Sequence, residues 1–124
     1  MSKKILVIED EAALQRALGD LLKSEGHTVV SALTGEDGLR LATTKEVPDL
    51  ILLDLILPQK NGFEVLTKLR EAPETKDIPV IVLTNLENSE DVERALSLGA
   101  HTYLVKLHYS LDEVLEKVKK ALGD

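Results

Sequence analysis

The sequence predicts an α/β domain of five alternating strand–helix units, a (βα)5 doubly wound parallel sheet. Two observations carry this expectation. Five short apolar runs recur along the 124 residues, and they are continuous rather than alternating. Strands buried on both faces of a parallel sheet read in that way. Between the runs, leucine and valine recur at helical spacing. Parallel strands joined by helices need right-handed crossovers, which puts helices on both faces of an open sheet.

The runs, in order, are ILVI (5–8), TVVSAL (28–33), LILL (50–53), IPVIVL (78–83) and TYLV (102–105). Leu14, Leu18, Leu21 and Leu22 form the apolar stripe of the first helix, and Leu111, Val114, Leu115, Val118 and Leu122 that of the last. Start signals accompany the helices. Ser110 with Glu113 forms a capping box, Thr34 with Asp37 a weaker one, and Asn88 or Ser89 can cap the fourth helix. Gly26, Gly99 and Gly123 stand where helices stop and a left-handed residue is wanted. The fourth helix, about 88–98, offers little apolar surface beyond Val92, Ala95 and Leu96, so it is expected to be the least firmly held.

Composition narrows the function. Residues 1–124 read as one domain. The hydrophobic fraction is 44% and the charged fraction 30%, as in ordinary globular proteins, but aromatics are only 2%. The formal net charge of −7 disfavours direct contact with nucleic acid. Without cysteine there is no disulfide, thiolate nucleophile or zinc–cysteine site. The opening MSKKILVIEDE has too short an apolar run for a signal peptide or a membrane span, so a cytoplasmic protein with no membrane contact is expected. Gly123–Asp124 follow directly on the fifth helix, and no output domain is expected after them.

Ligands of open α/β sheets bind beyond the carboxyl ends of the strands. Those ends carry Glu9 and Asp10 (first strand), Asp54 (third), Thr84 (fourth) and Lys106 (fifth). Asp54 is the member most exposed to a burial cost, since it stands among seven leucines and isoleucines in DLILLDLILP. A carboxylate there needs a partner. If the first and third strands are neighbours, three acids converge. Each pair of unit charges 4 Å apart repels by about 4 kcal/mol at an effective dielectric near 20. Lys106 offsets part of this. A hard divalent cation offsets more, and an all-oxygen donor set favours Mg2+. Crowding of this kind predicts that Mg2+, or Asp54→Asn, stabilises the fold.

The motifs ILVIEDE, LILLDLILPQKNGFEV (with Asp54, Pro58 and Gly62), IVLTN (with Thr84) and AHTYLVK (with Tyr103 and Lys106) resemble, in order and spacing, the CheY-like receiver domain of bacterial two-component response regulators. The resemblance spans the whole chain. It implies a flavodoxin-like sheet of strand order 2-1-3-4-5. It also implies a phosphoprotein in a phosphorelay, in which Asp54 becomes a 4-aspartylphosphate on taking a phosphoryl group from a sensor histidine kinase or a histidine phosphotransfer protein. Asp10, Asp54 and the backbone carbonyl of Ile56 would bind Mg2+, with Glu9 acting directly or through water. Thr84 and Lys106 would hold the phosphoryl oxygens. Thr84 and Tyr103 would then switch, altering the surface of the fourth helix, fifth strand and fifth helix for an unknown downstream protein. Such a domain is a signalling module, not an enzyme.

Two further features follow from the comparison with receivers. The residues two after the phosphoacceptor and two after the threonine flank the path of the hydrolytic water. Here they are Ile56 and Leu86, which cannot orient it, so slow self-dephosphorylation is expected. Receivers usually carry proline after the lysine, joined by a cis bond, where this chain has Leu107. A cis bond costs about 2.5–4 kcal/mol before a residue other than proline. A trans bond is therefore expected, with an altered path through 107–109 and a looser reach of Lys106 into the pocket.

Each of these residues also has a plainer reading. Asp54 alone would pass as a solvated strand-end acid, Glu9–Asp10 as acids suited to a helix start, and Tyr103 as core. His27, His101 and His108 lack ligand spacing and are expected at the surface. A pseudo-receiver scaffold would not need the full acidic set. A haloacid-dehalogenase-type phosphatase or phosphotransferase would carry a second aspartate at position 56 and a substrate cap. Neither GxGxxG nor a P-loop occurs.

Overall fold

In the computed structural model, which describes residues 2–123, five strands and five helices alternate: β1 (Lys4–Ile8), α1 (Ala12–Ser24), β2 (Thr28–Ala32), α2 (Gly35–Ala42), β3 (Leu50–Leu53), α3 (Gly62–Glu71), β4 (Val80–Thr84), α4 (Ser89–Ser97), β5 (Thr102–Val105) and α5 (Leu111–Ala121). A 3-10 turn, Lys106–His108, separates β5 from α5. All strand pairs are parallel, in the order β2-β1-β3-β4-β5. The strands fall on the apolar runs, except that β4 begins at Val80, after Pro79. Proline has no N–H for a ladder, which favours that start.

Side chains alternate across each strand, so the central strands feed two cores. Leu6, Ile8, Ile51, Leu53, Val80 and Val82 pack on one face with Val65, Leu66 and Leu69 of α3, Ala42 of α2 and Ala95 of α4. Ile5, Val7, Leu50, Leu52, Ile81 and Leu83 pack on the other with Leu18 and Leu22 of α1 and Val114, Leu115 and Val118 of α5. The starts of α2, α4 and α5 follow the sequence signals. Thr34, Asn61, Asn88 and Ser110 each accept a hydrogen bond from a backbone N–H of the first turn, and Ser110–Glu113 closes the capping box. Gly26, Gly99 and Gly123 all have positive φ.

Three details differ from the sequence reading or sharpen it. His27 is buried, not at the surface, because its Nδ1 accepts the Lys3 N–H at 3.2 Å in the turn leading into β2. The α4 helix buries only Ala95, while Leu96 is exposed. Its far end is instead held by Arg70, whose guanidinium donates to the Gly99 carbonyl at 2.7 and 3.1 Å and to the carbonyls of Thr75, Lys76 and Ile78.

Candidate functional site

Register decides what meets at the carboxyl edge. Ile8 lies opposite both Ala32 and Leu53. The ladder continues one residue further, with Glu9 N–H donating to Ala32 O and Asp54 N–H to Ile8 O, each at 3.0 Å. Glu9 and Asp54 are thereby carried on neighbouring strands. Each of Glu9, Asp10 and Asp54 offers a carboxylate oxygen within 4.8 Å of the others.

Burial divides the three. Glu9 and Asp54 are buried and Asp10 is exposed. Lys106 Nζ lies 2.8 Å from Glu9 Oε1 and 2.9 Å from Asp54 Oδ2, one ammonium shared by two carboxylates. Glu9 Oε2 accepts the Glu11 N–H at 3.0 Å, and Asp54 Oδ1 accepts the Ile56 N–H at 3.1 Å. Both oxygens of Glu9 and of Asp54 are thus engaged within the protein. Among the described residues Asp10 has no such partner.

The electrostatics follow from this arrangement. Burial pushes the Glu9 carboxyl above its ordinary value, partly offset by the hydrogen bonds from Lys106 and Glu11 and reinforced by the Asp54 charge. Burial works against the Lys106 charge, but the hydrogen bonds to Glu9 and Asp54 outweigh it and hold the ammonium above the usual lysine value. Three carboxylates and one ammonium leave two negative charges in a small volume. The donors are all hard oxygens, and one acid faces solvent with its oxygens free. That set suits a hard divalent cation that retains some water.

Close packing fixes where Asp54 sits. Gly62, the first residue of α3, lies so near the end of β3 that a Cβ there would meet Leu55 Cα and come within 2.5 Å of the Asp54 carbonyl oxygen. Its N–H donates to Leu55 O at 2.9 Å. Before it the chain turns sharply, with Lys60 N–H bonded to Pro58 O and Gln59 at φ 67°.

Thr84 ends β4, fully buried, and its Oγ1 accepts the Leu86 N–H at 3.4 Å within its own loop. The Tyr103 hydroxyl donates to Leu86 O at 2.7 Å, folding the ring onto that same loop. Burial, followed by the charges of Asp91 and Asp54, pushes the Tyr103 hydroxyl up to about 12. Ile56 and Leu107 project from the neighbouring loops, 51% and 81% exposed. No peptide bond is cis among the described residues, so the Lys106–Leu107 bond is trans. The altered path is the 3-10 turn. It does not keep Lys106 from the pocket, because the two buried carboxylates draw the ammonium in. The same turn brings His108 Nε2 to 3.7 Å from Glu87.

Sequence reasoning named every side chain in this cluster but missed its supports. The Ile56 N–H on Asp54, the Glu11 N–H on Glu9 and the side chain of Gln15 carry no residue-type signature. The Gln15 amide donates to the carbonyls of Glu9 and Ala32 at 3.0 and 2.9 Å.

Comparison with known proteins agrees with the geometry. Residues 5–119 match the family described as response regulator receiver domain. The phosphate regulon transcriptional regulatory protein PhoB of Rhizobium meliloti is 38% identical, over 98% of this chain and 53% of its own length. The chain spans about half the length of the first curated relatives it matches. The CheY-like receiver domain protein of Methanospirillum hungatei superposes with a TM-score of 0.90 at 29% identity, covering 99% of this chain and 95% of that one. The Mn(2+)-bound form of response regulator Rcp1 does so at 0.78 and 32%, covering 98% and 90%. No helix among the described residues is long and apolar enough to cross a membrane. The chain belongs to the response regulator receiver domain family of two-component signalling systems.

Proposed function

We propose that this chain is a working phosphoacceptor, in which Asp54 takes a phosphoryl group from a phosphohistidine of a sensor kinase or phosphotransfer protein. The observation that carries this reading is Lys106 Nζ lying between Asp54 and Glu9 while Asp10 stays free. A nucleophile, a fixed cation and a vacant carboxylate then share one strand edge.

Transfer of this kind depends mainly on positioning and charge neutralisation. An Asp54 carboxylate oxygen attacks phosphorus, the new O–P bond forms as the P–N bond to imidazole breaks, and the bonding pair leaves with the imidazole nitrogen. Lys106 moves its hydrogen bond from Asp54 to a phosphoryl oxygen, and the Thr84 hydroxyl donates to another. Asp10, Asp54 and the Ile56 carbonyl would hold Mg2+, with Glu9 acting directly or through water. When bound, the Mg2+ supplies positive charge against the acids and the incoming phosphoryl oxygens. The buried β3 strand and the tight approach of Gly62 keep Asp54 still throughout.

Output follows from the β4–α4 loop. In that loop the Leu86 N–H donates to Thr84 Oγ1, and the Tyr103 hydroxyl, reaching over from β5, donates to Leu86 O. Drawing the Thr84 hydroxyl toward a phosphoryl group breaks its bond to Leu86 N–H and disturbs the Leu86 carbonyl on which Tyr103 rests. The surface of α4, β5 and α5 changes as a result, and α4 is suited to this because it buries only Ala95. The chain acts as a single cytoplasmic receiver module whose signal passes to a downstream protein. The relatives named as transcriptional regulators make DNA control the first output to examine in the complete system.

The test is incubation with an acyl phosphate and Mg2+, followed by mass spectrometry. One phosphoryl group should appear on Asp54, and none without Mg2+ or in Asp54→Asn. Phosphorylation that persists in Asp54→Asn would sink the assignment, and none in the parent chain would favour the scaffold alternative.

A further inference from the structure

We propose that Gln15, near the start of α1, is a positioning residue that aims Asp10 at the cation site. This deepens the metal-assisted reading above and rests on it. The side-chain amide of Gln15 has two N–H donors. They are used on the carbonyls of Glu9 (3.0 Å) and Ala32 (2.9 Å), and the Glu9 N–H donates to that same Ala32 carbonyl at 3.0 Å. Both main-chain polar groups of Glu9 are therefore held, the N–H by β2 and the C=O by Gln15.

The peptide plane that begins at the Glu9 carbonyl is the one that carries Asp10. Rotating it breaks the Gln15 bond. Asp10 needs this support more than its neighbours do. Glu9 is fixed through its own carboxylate by Lys106 and the Glu11 N–H, and Asp54 by Lys106 and the Ile56 N–H. The Asp10 side chain has no such tie among the described residues, so the backbone, which sets its Cα–Cβ direction, is the one support it has there. Nor does α1 lock its own first turn, because Glu11 at the N-cap makes no side-chain capping bond. Gln15 replaces that lock with a tie to the ends of β1 and β2. Outer partners that orient metal-binding groups typically matter by about 10–100-fold in metal affinity. A brace acting through one peptide plane belongs at the lower end of that range.

The test compares the parent chain with Gln15→Met, which has similar reach and no donor, and with Gln15→Glu, which sets an acceptor against two carbonyls. Three quantities are measured: Mg2+ affinity by calorimetry, the Mg2+ concentration giving half-maximal phosphorylation by an acyl phosphate, and the melting temperature. In Gln15→Met, affinity should fall by about tenfold. The half-saturating Mg2+ concentration should rise in step, while the phosphorylation rate at saturating Mg2+ is kept. Gln15→Glu should weaken binding as well, despite its added negative charge. Unchanged Mg2+ affinity with a lowered melting temperature would overturn the proposal, leaving Gln15 a simple tie between α1 and the sheet. Tighter Mg2+ binding in Gln15→Glu would overturn it too, since charge rather than direction would then govern the site. A parent chain that binds no Mg2+ would defeat the metal-assisted reading itself, an outcome distinct from a parent and variants that bind equally.

Discussion

Asp10→Asn should stabilise this protein in the absence of divalent cations. The perturbation removes one negative charge and keeps the side-chain shape. The structure makes it cleaner than Asp54→Asn, because Asp10 contributes repulsion without an ion pair. Its nearest carboxylate oxygens lie within 4.8 Å of those of Glu9 and Asp54. Two unit charges at that separation repel by about 1 kcal/mol in bulk water and about 3.5 kcal/mol at an effective dielectric of 20. Asp10 is exposed, so the lower figure applies. Its two like-charge pairs then sum to about 2 kcal/mol at low salt, and attraction to the Lys106 ammonium, together with ionic screening at physiological strength, reduces this to about 1 kcal/mol. For a chain of this length that is a rise in Tm of about 3–6 °C. The assay is thermal unfolding by circular dichroism in EDTA, at low and at high NaCl, then with Mg2+. The rise should shrink with NaCl, and the stabilisation by Mg2+ expected of the parent chain should largely disappear in Asp10→Asn. An unchanged or lower Tm at low salt would refute the reasoning. By contrast, Asp54→Asn gives up the contact at 2.9 Å with Lys106 along with its repulsions. Its shift should be smaller than that of Asp10→Asn, which revises the gain expected from charge crowding alone.

Three other outcomes are expected. Ile56→Asn should shorten the lifetime of the phosphorylated form, since Ile56 is half exposed beside Asp54 and an amide there can orient water; equal decay rates measured by phosphate release would dismiss the idea. Gly62→Ala should destabilise the fold by about 1–3 kcal/mol, the usual cost of overpacking, because its Cβ collides with backbone at Leu55 and Asp54; denaturant unfolding at wild-type midpoint would contradict the packing argument. Tyr103 should ionise near pH 12 rather than near 10. Because its folded value is raised, its stabilising contribution is complete below pH 10 and is lost as pH rises toward 12. Tyrosinate absorbance in a Tyr109→Phe background reads this directly, and a midpoint near 10 would show that the ring is not packed on the β4–α4 loop.

The strands and helices were legible in the sequence because each is specified locally. A continuous apolar run such as LILL suits a strand buried on both faces, as in a parallel sheet covered by helices, and Ser110 with Glu113 closes a helix start within four residues. The members of the acidic cluster were legible for a related reason. Strand ends of an open α/β sheet share an edge, so chemistry-bearing residues just after apolar runs are brought together once β1 and β3 pair. The partners of those residues were not legible. That Lys106 spans Glu9 and Asp54 despite the trans bond to Leu107, that His27 is buried, and that Gln15 braces the Glu9 carbonyl were decided by the tertiary structure. Each depends on the register and separation of elements distant along the chain. Outside local caps, side-chain hydrogen bonds to backbone groups distant along the chain carry no residue-type signature, and a burial cost can be assigned only when the surrounding atoms are in place.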